Sequence, residues 1–476
     1  MLWLVIALLL FIFQIVTIVV VEFRNPTKTV AWLMILFILP VIGFIMYYFL
    51  AKEYSQRRHV KRKNRRVLGE MQREMRRELE NTKKGRDYPV PSIVKEPRLF
   101  GLLSNIPSSP ITRNNEVEVL TNAEAAYEAM FEAMENAKHH IHFEFYIVRH
   151  DDTGKKFQEL LIRKAREGVK VRVIYDGIGS YKLASSYIRE LIEAGIDTYC
   201  FLPAFIAFFD KRMNYRNHRK IIVVDGTVGF VGGINIGDEY LGKHPVLGFW
   251  RDTHLKLVGD SVYYLQSTFL SDWEFVCRQK LVDTNFFPEH TCEGHKPVQI
   301  VASGPDAHWD SILESYFGGI TTAKKRIYIT TPYFIPDASL IMGLKTAAIS
   351  GVDVKIIFPQ IPDSWIVHYA SLSYIHELMQ TGVRFYQYQP GFVHAKVTII
   401  DDLFATVGTA NMDMRSFYSN FELNAILYDK ESIERLEHDF LEDLKNSKRI
   451  ILSEFEKRSR FQRGKEVLGR LLSPLF

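Results

Sequence analysis

The sequence predicts an α/β protein of two α/β/α sandwich halves related by pseudo-twofold symmetry, preceded by an N-terminal transmembrane hairpin. Three observations predict it. Two uncharged apolar stretches occupy the first 50 residues, an ordered series of strand and helix patterns occurs twice, and each copy carries the same spaced His, Lys, Asp, Gly and Asn. A chain of 476 residues has room for two or three domains with a substantial core. With 47% hydrophobic and 13% aromatic residues it is neither disordered nor collagen-like. Cys200, Cys277 and Cys292 are odd in number and far apart, which fits free thiols in a reducing compartment rather than a disulfide framework.

Residues 1–21 carry no charge and only Gln14 and Thr17 as polar interruptions; residues 30–50 are again uncharged. About 20 residues at about 1.5 Å each cover a hydrocarbon core of about 30 Å, so spans are expected at about 1–21 and 30–50. The short link containing Glu22, Arg24, Pro26 and Lys28 makes them a hairpin, with Pro40 and Gly43 expected to kink the second span. A cleaved signal peptide would need a basic start and a small-residue cleavage site, and the first stretch has neither. Residues 51–110 form the expected basic juxtamembrane segment. Its first part, 51–66, nets +7, which keeps the N-terminus and everything beyond on the cytoplasmic side and attracts anionic headgroups.

From about residue 111 strand and helix patterns alternate, which argues for layered α/β halves at 111–293 and 294–476. Strand patterns at 137–146, 168–175 and 196–201 have counterparts at 323–333, 351–358 and 383–388, with helices ending at Gly195 and Gly382. Order and spacing are preserved between the copies.

The chemistry lies at the next matched position. The first half has His218, Lys220, Asp225, Gly232 and Asn235; the second has His394, Lys396, Asp401, Gly408 and Asn411. Both read H-x-K-x4-D-x6-G-x2-N, 176 residues apart. The run after each His is β-rich, so His and Lys at i and i+2 share one face of a strand. Gly232 and Gly408 are expected to open a turn where backbone approaches a ligand. A metal site would not place a lysine beside each lone histidine, and neither Cys-x-x-Cys nor His-Glu-x-x-His is present; no metal and no cofactor is expected.

This duplicated pattern resembles that of the phospholipase D superfamily, whose signature is a pair of HKD motifs, and the resemblance covers about residues 110–476. It implies two α/β/α halves meeting at their motifs and phosphodiester transfer through a covalent phosphohistidine. By resemblance His218 attacks and His394 acts as acid and base, a division that imidazole supports near neutral pH. Lys220, Lys396, Asn235 and Asn411 would hold the phosphoryl oxygens. Asp225 and Asp401 complete the motif as structural anchors. Glu422 and Asp252 are candidates to orient the two imidazoles, against the alternative of ordinary strand-end carboxylates. His139, His140, His142 and His254 have no duplicated counterpart and are read as structural.

Within the superfamily, the hairpin, the basic segment and the length resemble the bacterial cardiolipin synthases, which join two phosphatidylglycerols and release glycerol. The resemblance implies a multi-pass protein of the bacterial cell membrane. Its partners would be anionic phospholipids (phosphatidylglycerol, cardiolipin) and the bilayer, with no nucleic acid; homo-oligomerisation is compatible with it. At the C-terminus Phe461, Val467, Leu468 and Leu471 interleave with Arg460, Arg463, Lys465 and Arg470, as in an amphipathic helix lying in the interface or one packed on the domain. Alternatives are a phosphodiesterase acting on lipid or nucleic acid with water as acceptor, transfer to another acceptor, or a non-catalytic scaffold. The net charge of +5 divides unevenly: with +7 in 51–66 and +5 in 457–470, the remainder is −7.

Overall fold

The computed structural model describes residues 2–21, 26–50, 92–203, 215–307 and 309–473. The basic run 51–66 and the terminal residues 474–476 lie outside the described residues.

Each half is built on one mixed sheet. The first runs β1 (Asn115–Thr121), β8 (Thr253–Gly259), β6 (Val228–Gly232), β5 (Lys220–Val224), β2 (His140–Phe145), β3 (Lys170–Asp176), β4 (Asp197–Phe201). The second runs β9 (Val298–Ser303), β18 (Glu422–Leu427), β16 (Phe404–Gly408), β15 (Val397–Ile400), β10 (Arg326–Thr330), β12 (Asp353–Pro359), β13 (Arg384–Tyr388), with β19 (Ser447–Arg449) added at the edge. Strand for strand the order is the same. In both, the last three strands of the shared order pair in parallel through helical crossovers and the rest are antiparallel. The helices before β4 and β13 are followed by Gly195 and Gly382, at φ of 83° and 101°, the left-handed conformation that ends a helix without a Cβ penalty.

The two sheets face each other. Ile221, Val223, Val231 and Leu255 of the first pack with Val397, Ile399, Val407 and Leu423 of the second in one apolar core. The strands between them are buried on both faces, which is why β5 and β15 read as unbroken runs of β-branched residues. Residues 92–110 correct one boundary. Expected in the juxtamembrane segment, they belong to the core of the second half, because helix Pro97–Ser104 buries Leu99 and Leu103 beside Ile312 and Tyr316.

The N-terminus forms one helix at Leu2–Val21, but the second expected span is two helices, Pro26–Ile38 and Pro40–Leu50. Pro40 has no N–H to continue the ladder. The chain folds back there rather than kinking, so that Trp32 meets Tyr47 edge-on at 5.5 Å. Gly43 permits the fold, since a Cβ on it would stand 2.8 Å from the carbonyl oxygen of Ile35. Among the described residues no helix is long and apolar enough to cross a membrane.

The C-terminal helix Arg460–Leu472 packs on helix Trp365–Met379, which corrects a purely interfacial placement. Gly469 lies against the backbone of Ala370, Arg470 stacks over Tyr374 at 4.5 Å, and the Tyr374 and Ser473 hydroxyls are 2.8 Å apart. Phe461, Val467 and Leu468 remain on its outer face, at 75%, 60% and 50% exposure.

Candidate active site

Each motif strand begins beside the other half. The His218 N–H donates to the Phe421 carbonyl at 2.9 Å, and the His394 N–H donates to the Arg251 carbonyl at 2.7 Å. Around His394 this contact extends a short parallel pairing of β7 (Phe249–Arg251) with β14 (Gly391–Val393). In each case the next residue of the other half is a carboxylate. Glu422 Oε2 lies 2.9 Å from His218 Nδ1, and Asp252 Oδ2 lies 2.7 Å from His394 Nδ1. The backbone register between the halves therefore presents one carboxylate to each imidazole, and each crosses the pseudo-twofold. With Nδ1 occupied, Nε2 is the ring nitrogen left for chemistry. Both histidines line one cavity of about 660 Å³ with Asn235, Asn411, Tyr146 and Trp250.

The carboxylates are held in turn. Thr409 and Asn420 donate to Glu422 at 2.5 and 3.0 Å, and the Thr253 N–H donates to Asp252 at 2.8 Å. Lys220 and Lys396 bend back so that each Nζ donates to the carbonyl of its own motif histidine at 2.6 Å. Burial dominates the electrostatics. It carries His218 down to about 4 and His394 to about 3, with neighbouring lysines adding and the carboxylates opposing. Burial also lowers Lys220 to about 7 and Lys396 to about 8. Burial pushes Asp252 and Glu422 up, yet pairing with His394 and His218, the charges of Lys396 and Lys220 and the threonine hydrogen bonds together hold both at about 2. Near neutral pH these shifts leave neutral imidazoles beside ionised carboxylates. A phosphodiester anion entering it stabilises the protonated forms of both lysines and of one imidazole.

Asp225 and Asp401 stand apart from this cavity. Asp225 accepts the N–H groups of Lys138, His139 and His140, and Asp401 those of Lys324, Lys325 and Arg326, at 2.7 to 2.9 Å. They fasten the loops that enter β2 and β10, and the structure separates them from the reacting groups. Asn235 lines the cavity while its Oδ1 accepts the Ile147 N–H at 3.1 Å; the Asn411 Oδ1 is buried with no partner among the described residues. The motif glycines face the neighbouring strand and are not among the residues lining the cavity. A Cβ on Gly232 would strike His254, and one on Gly408 would strike Asn424, so both serve close packing against the next strand. Gly233 has the more direct role: a Cβ there would lie 2.0 Å from Asp252 Oδ1. His140, His142 and His254 are buried in the first half, and the His139 N–H donates to Asp225.

Sequence reasoning missed Tyr146, Arg216, Tyr333 and Arg415, which also line the cavity. Tyr146 meets His218 edge-on at 4.9 Å, and Lys220 Nζ lies 5.4 Å from the Tyr146 ring centre. The signal for Tyr146 and Tyr333 was their place just after matched strands.

Comparison with known proteins bears on this geometry. Residues 130–273 and 317–444 match the family described as "Cardiolipin synthase, PLD-like domain", and residues 3–52 match "Phospholipase_D-nuclease N-terminal". The chain is 44% identical over 459 residues to a cardiolipin synthase of Geobacillus kaustophilus (strain HTA426), covering 95% of this chain and 90% of that one. It is 40% identical to a cardiolipin synthase of Listeria monocytogenes serotype 4a (strain HCC23), covering 99% and 98%. In fold it is similar to the crystal structure of a phosphatidylserine synthase from Haemophilus influenzae Rd KW20, with a TM-score of 0.60 at 15% identity over 79% of this chain and 96% of that one. Two crossed histidine–carboxylate pairs on duplicated sheets, together with this similarity along nearly the whole chain, show that the chain belongs to the phospholipase D-like cardiolipin synthase family.

Proposed function

We propose that the chain transfers a phosphatidyl group from one phosphatidylglycerol to the primary hydroxyl of another, giving cardiolipin and glycerol. The observation that carries this is the pair of imidazoles in one cavity, each tied through Nδ1 to a buried carboxylate from the other half. Nε2 of His218 attacks phosphorus, the P–N bond forms and the P–O bond to glycerol breaks. His394, protonated once the phosphodiester is bound, gives its proton to the departing oxygen, and Asp252 stabilises its imidazolium form. The acceptor hydroxyl then surrenders its proton to His394 and attacks phosphorus, forming P–O and breaking P–N. Lys220 and Lys396 stabilise the charge on the phosphoryl oxygens in both steps. The P–N bond conserves the transfer potential of the donor ester, so no nucleotide activation is required.

The same reading fastens an acidic catalytic body to the cytoplasmic leaflet of a bacterial membrane. The apolar residues 1–50 hold one side, and the outer face of helix Arg460–Leu472, with Phe461 and Val467 beside its basic residues, supports it at the other. Purified protein in phosphatidylglycerol vesicles should yield cardiolipin and free glycerol in equal amounts. Phosphatidic acid as the sole phosphorus product would replace transfer by hydrolysis. His218→Ala and His394→Ala should each abolish turnover, and unchanged cardiolipin levels in cells carrying either variant, with no turnover by the purified unsubstituted protein, would leave a scaffold.

A further inference from the structure

The reaction proposed above brings two phosphodiesters to one cavity. The donor's reacts, whereas the acceptor's own stays intact and must be held while its terminal hydroxyl reaches phosphorus. The two His-Lys pairs and their asparagines serve the reacting group. A second phosphate monoanion entering the same enclosed space needs a cation of its own.

Arg415 is placed to supply it. It lines the cavity from the short helix Met414–Tyr418, next to Arg216 and Tyr146. Its Nε is buried without a hydrogen-bond partner among the described residues. Other charged groups of the lining already have partners. Arg149 pairs with Glu239 at 3.1 Å, and Arg216 faces Asp176 at 4.0 Å. Asp413 accepts the Ser416 N–H at 2.7 Å, and Asp363 accepts from the Tyr333 hydroxyl.

The internal repeat separates Arg415 from the reacting groups. It stands four residues after Asn411, and the matched position after Asn235 is Glu239. Arg216 stands two residues before His218, and the matched position before His394 is Phe392. The cavity lining is therefore twofold in its histidines and asparagines and one-sided in these arginines. That asymmetry suits a reaction in which two like lipids play different parts.

We propose that Arg415, supported by Arg216, binds the non-reacting phosphodiester of the acceptor phosphatidylglycerol and so aims its primary hydroxyl at the phosphohistidine. A guanidinium matches the task, because its planar fork pairs with two phosphate oxygens and it has no proton to lose near neutral pH. This rests on the reading that phosphatidylglycerol is the acceptor.

The test compares two acceptors in phosphatidylglycerol vesicles containing labelled glycerol. Labelled glycerol attacking the phosphatidyl-enzyme regenerates phosphatidylglycerol without an acceptor phosphate, whereas cardiolipin formation requires one. For Arg415→Gln the ratio of cardiolipin to labelled phosphatidylglycerol should fall by about tenfold or more, the value of a charge-assisted phosphate contact. Arg415→Lys, which keeps the charge and loses the fork, should fall between. A ratio equal to that of the unsubstituted protein in both variants overturns the proposal, whether both activities survive or both fall in proportion. If the unsubstituted protein incorporates labelled glycerol and makes no cardiolipin, the acceptor assignment itself fails, and that result is separate.

Discussion

Asp252→Asn removes one charge from a wholly buried pair while keeping the shape of the side chain. Asp252 sits at about 2 against an ordinary value near 3.8 even though burial alone would raise it, because the charge and hydrogen bond of His394, the Lys396 charge and the Thr253 N–H together favour the carboxylate. The carboxylate in turn favours the His394 imidazolium against burial, and at about 1.5 to 3 kcal/mol for a hydrogen bond to a charged group its loss slows proton delivery to glycerol by roughly 10- to 150-fold. The tautomer adds to the loss. The Thr253 N–H holds the oxygen of the new side chain, which turns its amide NH2 toward His394 Nδ1 and forces the ring proton to Nε2. The corresponding change in a serine-protease triad costs about 10⁴-fold, so the expected loss in cardiolipin formation is between about 10² and 10⁴. The assay is initial-rate cardiolipin release from phosphatidylglycerol vesicles, beside a melting curve to confirm folding. A folded variant within about threefold of the unsubstituted rate would refute the role given to the crossed pair.

Gly233→Ala should lower activity by about 10²-fold with a smaller effect on the melting temperature, since its Cβ displaces Asp252 rather than opening the core; unchanged kcat/KM would show that Asp252 tolerates the displacement. kcat/KM should fall as pH rises past 7 to 8, because Lys220 at about 7 and Lys396 at about 8 lose the proton that binds phosphate; a level profile to pH 9 would contradict this. Stability should fall as pH drops from about 6.5 to about 4, because His218, His254 and His394 take up protons only in the unfolded chain over that range. Each contributes about 1.4 kcal/mol per pH unit, read as a falling denaturation midpoint. Thr409→Val removes a donor to Glu422 and an acceptor for the Leu423 N–H, and should cost about 1 to 3 kcal/mol of stability by chemical denaturation.

What the sequence revealed about the site followed from repetition. His218 and His394, their lysines and their asparagines were legible because each had a partner at fixed spacing. Asp252 and Glu422 were nameable only as nearby carboxylates, since no local pattern shows that Arg251 and Phe421 accept the histidine N–H groups of the opposite half. Arg216 and Arg415 were invisible for the opposite reason: their matched positions hold Phe392 and Glu239, so the repeat hides them. The same holds for the ends of the chain. A hydropathy count passes over Pro40, where the second apolar stretch turns back on itself. An alternation of basic and apolar residues does not show that Gly469 exists to admit the backbone of Ala370. The strand order was beyond any period, because seven strands of each sheet are joined by long-range register that local residues do not encode.

In the proposed mechanism the phosphatidyl group is carried on His218 between donor and acceptor. Protein mixed with phosphatidylglycerol labelled at phosphorus, quenched in base within one turnover and digested, should yield a single labelled peptide bearing acid-labile phosphohistidine at His218, and none from His218→Ala. Cardiolipin produced at full rate with no labelled peptide, or with the label on another residue, would contradict the account.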